Sequence, residues 1–416
     1  MEGSRQGSPA DPVAGASAPA GQALAGLKVV ECATVIAAPL CGRMLADFGA
    51  DVIHVEHPVK GDHLRQFGHT YDGVNPLWKY YSRNKKVVTL DISKPKGRDI
   101  LFRMLADADI FIENFRPGRL EEWGIHYDDL AKINPRLIMI RLTGFGQYGP
   151  YSEQPGFGTL MEAMSGFAEM TGEPDGPPTL PQFALADSYA AYYALSSAMF
   201  AIYHRDVLGH GKGQVIDVAL WEAITTNLGP NALVNQVTGE PPRRIGNRSA
   251  SSSPRNTYRT KDDRWVAIAG ATQTTAERMF AVMGKSELLK QPKFATNPAR
   301  LRHVDEVDAI VGEWIGRHTR EEVTRLLREA EVPVGPVYDV RDILADPHAQ
   351  ARGMFIECPD GERTLTMEGV FPKMGLTPGT VRHAGRDMGA DNASVFGERL
   401  GLTADELAEL KREGVI

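Results

Sequence analysis

From about Leu24 onward, short apolar runs alternate with stretches of helical periodicity. Residues 28–32 (KVVEC) form a run suited to a buried strand. Over residues 39–48, Leu40, Met44, Leu45 and Phe48 recur at helical spacing; Gly49 ends that helix, and residues 51–56 (DVIHVE) read as a second strand. Strand, helix and strand in this order form a β-α-β unit, which implies a parallel sheet with a right-handed crossover. The alternation continues with a helix over 97–108 and strands over 110–113 and 137–142. The predicted fold class is α/β, built on an open layer.

Further along, Asp187 directly precedes a predicted helix over 188–205, in which Ala191, Tyr192, Leu195, Ala198, Met199 and Ile202 share one face. Residues 209–213 (GHGKG) make a turn, 214–220 alternate like a strand, and a helix should follow from Trp221. Residues 230–254 carry prolines and the polar run 249–253, which predicts a linker. Beyond it, a strand over 265–269 and helices over 275–283, 304–317 and 320–330 predict a second, smaller α/β domain. The expected organisation is a disordered tail over 1–23 and a large domain beginning with 24–229. A linker over 230–254 and a small domain over 255–331 follow, and a return segment over 332–416 completes the large domain. A short amphipathic helix over 404–412 belongs to that return segment.

The chain has 416 residues, of which 42% are hydrophobic and 24% charged, as in an ordinary globular protein of two or three domains. A net charge of −7 argues against a broad nucleic-acid or anionic-membrane surface while permitting a local basic pocket. No apolar run approaches the roughly 20 residues of a membrane helix. Neither a nucleic-acid nor a membrane partner is therefore expected. The three cysteines, Cys32, Cys41 and Cys358, form no C-x-x-C pair, so a reducing, cytoplasmic setting is expected and each thiol reads as a small buried residue. The N-terminal 22 residues are rich in Gly, Ala, Pro and Ser and lack a signal-peptide core.

Familiar catalytic motifs are missing. Residues 144–149 (GFGQYG) fit G-x-G-x-x-G after a strand, yet Pro150, Tyr151 and Ser152 continue poorly into the helix that a dinucleotide site requires. GHGKG lacks the P-loop spacing, no G-x-S-x-G elbow is present, and the eleven histidines form no metal-binding pattern, so no metal is expected. Asp187 stands out among the carboxylates. An Asp before a helix is ordinarily an N-cap. A helix start also favours an ionised carboxylate, which is able to act as a nucleophile.

Several segments in order carry a resemblance: residues 24–62, 84–97 (NKKVVTLDISKPKG), 108–118 (ADIFIENFRPG), 133–151, 155–166 (PGFGTLMEAMSG), Asp187 with its helix, 209–220, and 244–247 (RIGN). Together, from about residue 24 to 353, the chain resembles the class III (family III) CoA-transferases, the family of formyl-CoA transferase and carnitine CoA-transferase. The resemblance implies a Rossmann-like large domain with an open parallel sheet, a smaller α/β domain, and an interlocked homodimer. A hetero-oligomer with a related subunit is the alternative assembly. It also implies that Asp187 attacks an acyl-CoA donor, such as succinyl-CoA, forming a mixed anhydride and then an aspartyl-CoA thioester that passes coenzyme A to an acceptor acid. Coenzyme A and acyl-CoA are then substrates, and no tightly bound cofactor is implied.

The family's CoA contacts map onto Val35, Ile36 and Ala37, the stretch beginning at Leu90, Asn114, Phe115 and Arg116, and Thr143, Gly144, Phe145 and Gly146. The sequence departs from formyl-CoA transferase at three charged contacts. His57 stands for an adenine-side Arg, Glu122 for a phosphate-side Arg, and Thr143 for a Lys, leaving Arg116, Arg119, Lys94 and Arg65 to supply charge. Residues 249–253 are a candidate small-residue lid, with an exposed linker as the alternative. Two other functions remain on the same fold. One is an acyl-CoA racemase or epimerase, whose proton-transferring His-Asp pair corresponds here to Phe157 and Gly158. The other is a CoA-binding partner subunit, against which the presence of Asp187 weighs.

Overall fold

A computed structural model describes residues 21–270 and 272–416; most of the expected N-terminal tail lies outside these. The chain divides into two compact units. The first takes residues 21–158, 184–223 and 353–416; the second takes Thr159–Phe183 and Ile224–Arg352.

The first unit is built on a six-stranded sheet. Its strands are β1 (Lys28–Cys32), β2 (Asp51–Glu56), β3 (Lys86–Thr89), β4 (Ile110–Glu113), β5 (Ile138–Thr143) and β6 (Val215–Ala219), in the order β3-β2-β1-β4-β5-β6. Every neighbouring pair is parallel. That order is the doubly wound, Rossmann-like arrangement. The helices of this unit include α1 (Ala37–Asp47), α2 (Pro76–Tyr81), α3 (Pro95–Leu105) and α4 (Leu185–Ile202). One face of the sheet closes over a core that includes Val30, Ile53, Val88, Leu101, Met104 and Phe111. The period-2 and period-3.6 patterns thus meet in one apolar layer.

Helix α4 differs from the expectation in two respects. It begins at Leu185, with Ala184 as its cap residue, so Asp187 lies inside the first turn rather than before the helix. Its buried residues are Ala186, Ala190, Ala191, Ala194, Ala198 and Ala201; of the expected face, Ala191 and Ala198 are buried, Leu195, Met199 and Ile202 half-buried and Tyr192 exposed. The stripe of small side chains lets α4 pack closely on α1. A search for large apolar residues at helical spacing finds only part of the buried face when the contact is made by alanine.

The second unit holds a three-stranded antiparallel sheet: β7 (Arg255–Arg259), β8 (Trp265–Ala269) and β9 (Val334–Pro336). Helices Gln273–Val282, Val304–Ile315 and Arg320–Glu329 pack on it, through Met279, Phe280, Val307, Val311 and Leu327 among others. Residues 332–352 therefore stay with this unit, because β9 pairs with β8 (Ile268 opposite Val334), and the chain leaves it only at Gly353. Within 230–254, read from sequence as a linker, residues Asn231–Thr238 are helical. The large apolar side chains Leu233 and Val237 of that helix are exposed, so no buried face marks it in the sequence. The run 249–253 is anchored: Asn297 donates to Ser251 O (2.8 Å) and Arg300 to Ser253 O (2.8 Å). Among the described residues no helix is long and apolar enough to cross a membrane.

The C-terminal segment of the first unit covers the sheet edge at β3. Asp391 donates its N–H to Val87 O (2.9 Å) and accepts the Val87 N–H on Oδ2 (2.8 Å). Asn392 Oδ1 accepts the Thr89 N–H (2.9 Å). These contacts satisfy edge groups that would otherwise invite another strand. Replacing Asp391 by Ala strands the Val87 N–H, and is expected to cost roughly 1–3 kcal/mol. A lowered denaturation midpoint in urea measures this loss, and an unchanged midpoint would show that the clasp contributes nothing.

Candidate active site

In a sheet of this order, the connections after β1 and β4 leave in opposite directions, opening a crevice at the carboxyl ends of the strands. A cleft lies there, in the first unit. Its walls are residues 34–37 after β1, residues 114–117 after β4, Leu142 and Thr143 at the end of β5 with Gly144 after it, Leu220 after β6, residues 152 and 154–157, and Asp187 of α4.

The first two walls are locked to each other. Asn114 Oδ1 accepts the Thr34 N–H (3.0 Å), and its Nδ2 donates to Thr34 O (2.8 Å). Both halves of the amide are thus spent on the neighbouring loop. Behind this pair lies Glu113, fully buried, which accepts from Arg141 Nε (2.6 Å) and from the Phe115 N–H (2.8 Å). The third wall depends on two glycines. A Cβ at Gly144 would come within 2.7 Å of Gly156 Cα, so the chain after β5 and the chain entering the cleft cross where only hydrogens fit. No helix opens after GFGQYG. Gly146 and Gly149 take left-handed conformations (φ 84° and 101°), and residues 144–157 form a loop. A dinucleotide fingerprint needs a helix at that point.

The expected contact residues fall into two groups. Val35, Ile36, Ala37, Asn114, Phe115, Arg116, Thr143 and Gly144 line the cleft with Asp187. His57, Leu90, Arg119, Phe145 and Gly146 do not. His57 Nδ1 accepts the N–H groups of Val59 and Lys60 (3.1 and 3.2 Å), closing a turn. Leu90 is buried in the sheet core. Arg119 pairs with Glu122 (2.7 Å). Phe145 packs edge-on against Tyr151 and Trp221, with ring centroids 5.5 and 6.2 Å away, and so braces the loop from outside the cleft. Two other proposed charge donors are also engaged: Arg65 with Glu56, and Lys94 with the carbonyls of Glu413 and Gly414. Arg116 alone of the four lines the cleft.

Sequence reasoning missed Thr34, Leu220, Ser152 and residues 154–156, each near the carboxyl end of a strand or on the loop after β5. Tyr81, at the end of α2, was missed as well. It packs with Val35, Ile36 and Ala184, against the start of the helix that carries Asp187. Burial pushes its phenol up to about 12, with Tyr80 and the charge of Asp187 adding to the effect, so it remains an O–H donor at neutral pH. Burial likewise raises the thiols of Cys32 and Cys41, the latter to about 12, which leaves neither as a thiolate nucleophile.

Burial also pushes Glu113 up to about 7, against the opposing pull of Arg141. The folded protein then holds this proton where the unfolded chain has already released it. The contribution of Glu113 to stability is complete below the ordinary carboxylate range and is lost as pH rises through about 7. Replacing Glu113 by Gln should flatten this part of the profile. Melting temperatures of the two proteins between pH 4.5 and 8 are expected to diverge, with the native protein losing ground to the variant as pH rises. Parallel curves would assign the group an ordinary carboxylate range.

Comparison with known proteins agrees with this geometry. A profile of CoA-transferase family III matches residues 24–392. The chain is 39% identical over 392 residues to a succinyl-CoA–D-citramalate CoA-transferase of Chloroflexus aurantiacus, covering 94% of this chain and 97% of that one. It is also 39% identical over 400 residues to the beta subunit of a succinyl-CoA–L-malate CoA-transferase of the same organism, covering 94% and 98%. A crystal structure of a CAIB/BAIF family protein from Brucella suis superposes with a TM-score of 0.82 at 32% identity, over 91% of this chain and all of that one. The chain belongs to CoA-transferase family III, and is an enzyme that passes coenzyme A from an acyl-CoA to a carboxylic acid.

Proposed function

We propose that the enzyme takes coenzyme A from succinyl-CoA and delivers it to a 2-hydroxy dicarboxylic acid by way of a covalent intermediate on Asp187. The observation that carries this reading is that Asp187 is the one carboxylate among the described residues lining the cleft. Its hydroxyl-bearing neighbours Thr34, Thr143 and Ser152 have no histidine beside them in that lining to act as base. Citramalate and malate, the acceptors named for the two Chloroflexus relatives, are both hydroxy dicarboxylates, and succinyl-CoA is the donor named for both.

In this mechanism the Asp187 carboxylate attacks the donor thioester carbonyl and expels CoA thiolate, leaving a mixed anhydride. The thiolate attacks the aspartyl carbonyl, releasing succinate and forming an aspartyl-CoA thioester. The acceptor carboxylate then attacks that thioester, expelling thiolate again and forming a second anhydride. The thiolate takes the acceptor's acyl group and restores the Asp187 carboxylate. The free energy of the thioester thus passes through covalent bonds at each step. Arg116 lies on the cleft wall where a phosphate or carboxylate of the substrate would find a guanidinium. Coenzyme A enters as part of the substrate, with no resident cofactor.

The functional assembly in this reading is an interlocked homodimer. A pair with a related chain is the second arrangement, because the malate-specific relatives are named as alpha and beta subunits. Racemisation is disfavoured by Phe157, which lines the cleft at the position where racemases carry a proton-transferring His.

Incubation with succinyl-CoA followed by hydroxylamine should convert Asp187 to a hydroxamate, and borohydride should reduce it to homoserine, each located by peptide mass spectrometry. Asp187→Asn should lower turnover by roughly three orders of magnitude or more. Undiminished turnover in that variant, or an unmodified Asp187 during turnover, would rule the mechanism out.

A further inference from the structure

Val35 is a β-branched residue with φ of 69°, in the left-handed region that such side chains almost never occupy. It stands on the cleft wall one residue after the Asn114 clamp at Thr34. An outlier of this kind persists only where its surroundings over-determine it. Here the determinant is a row of buried titratable groups that the reaction itself does not use.

The row begins at Lys85, fully buried, whose ammonium donates to Glu31 Oε1 and Oε2 (2.8 and 2.9 Å) and to Pro39 O (2.8 Å). Glu31 lies against His54 Nδ1 (2.6 Å). On the far side of the imidazole, His54 Nε2 stands 3.5 Å from Asp62 Oδ2. Asp62 Oδ1 then accepts two backbone N–H groups, from Val35 (3.1 Å) and Leu64 (2.8 Å). The Asp62 N–H is itself held by Glu56 (2.7 Å), which Arg65 neutralises. Glu31, His54 and Asp62 are all essentially inaccessible to water. Gly42 leaves the space the row needs, since a Cβ there would overlap the Glu31 carboxylate.

The two ends of the row grip the same short piece of chain. Asp62 takes the N–H of Val35, and Lys85 takes the carbonyl of Pro39 in the first turn of α1. Between those two points lie Ile36 and Ala37, both on the cleft wall. The row is therefore a bracket across residues 35–39, anchored in strands β1 and β2 and at the entrance to β3.

We propose that Asp62 is a positioning residue for coenzyme A transfer. By holding the Val35 amide it keeps Val35 in its strained conformation, and residues 35–37 in the position that sets the acyl-CoA thioester against Asp187. This rests on the reading that the cleft holds the thioester and that Asp187 attacks it. Asp62 does not touch substrate. Its effect passes through the backbone of Val35, and a small displacement of a reacting group is enough to slow attack substantially.

The test measures the single-turnover rate of hydroxylamine-trappable adduct formation from succinyl-CoA, together with kcat and KM, for three variants of the full chain. Asp62→Ala removes the acceptor of the Val35 N–H. It is expected to slow adduct formation and kcat together by roughly 10- to 100-fold, with KM for the acyl-CoA nearly unchanged. Asp62→Asn keeps a carbonyl oxygen at the Oδ1 position and should recover the rate to within a few-fold of the native enzyme. Val35→Gly placed on the Asp62→Ala background removes the steric penalty for left-handed φ, and should recover part of the loss. A merely structural role for Asp62 predicts a different result: the residual activity of each variant would follow the fraction of folded protein, with no recovery from glycine at position 35.

Native-like adduct formation in folded Asp62→Ala would overturn the proposal, as would a raised KM with kcat intact. If Asp62→Ala does not fold, the other two variants decide. A slow Asp62→Asn enzyme, or a double variant that folds without recovering rate, would count against it. Absence of any Asp187 adduct in the native enzyme would instead bring down the functional reading, so the two failures are distinguishable.

Discussion

The reversal of strand order between β1 and β4 is the constraint that shapes the rest of the first unit. Parallel strands need crossovers, crossovers have one hand, and two neighbouring strands whose crossovers go opposite ways leave a gap that neither covers. The chain closes the floor of that gap with a single side chain, the Asn114 amide bonded both ways to Thr34. Above the floor the walls come from loops, and loops alone hold their shape poorly. What fixes them here is polar chemistry beneath the surface.

Four carboxylates sit buried at or near the carboxyl ends of the first strands: Glu31, Glu56, Asp62 and Glu113. Each has a dedicated set of donors. Glu31 has Lys85 and His54, Glu56 has Arg65, Asp62 has two backbone amides, and Glu113 has Arg141 and the Phe115 amide. Burial opposes ionisation in all four, and the partners decide the outcome. Lys85 and His54 outweigh burial at Glu31, which falls below the ordinary carboxylate range, whereas at Asp62 and Glu113 burial prevails. Such pairs add little net stability compared with apolar packing. Their value lies in direction, since a hydrogen bond fixes a loop's orientation where a methyl contact would let it slide.

The sequence showed the layer and its order of elements well, because strands buried on both faces read as continuous apolar runs and the helices between them keep their period. Element bounds shifted by a residue or two, as at 39–48 against Ala37–Asp47. Three kinds of feature were not legible. A stripe of alanines carries little hydrophobic contrast, so the buried face of α4 was read only in part, through Ala191 and Ala198. A three-residue strand such as β9 is too short for periodicity to register, so the chain was expected to return to the large domain too early. Charged residues inside apolar runs, such as Glu31 in KVVEC and His54 in DVIHVE, give no sign of whether they are buried. The bracket behind the cleft is therefore invisible until their partners, up to 54 positions away, are placed beside them. The split among the expected contact residues has a similar cause. Motif position reports which segment approaches a ligand, while the direction of each side chain depends on turns such as the one that points Phe145 toward Trp221.

The clasp at the β3 edge bears on how the chain acquires its shape during synthesis. A ribosome delivers residues 24–219, and with them all six strands, long before it delivers Asp391 and Asn392. Through that interval the amides of Val87 and Thr89 face outward on a nascent sheet, with residues 224–352 of the second unit still to be made. A partly made chain is therefore open to mispairing at this border until residues 391 and 392 arrive to close it.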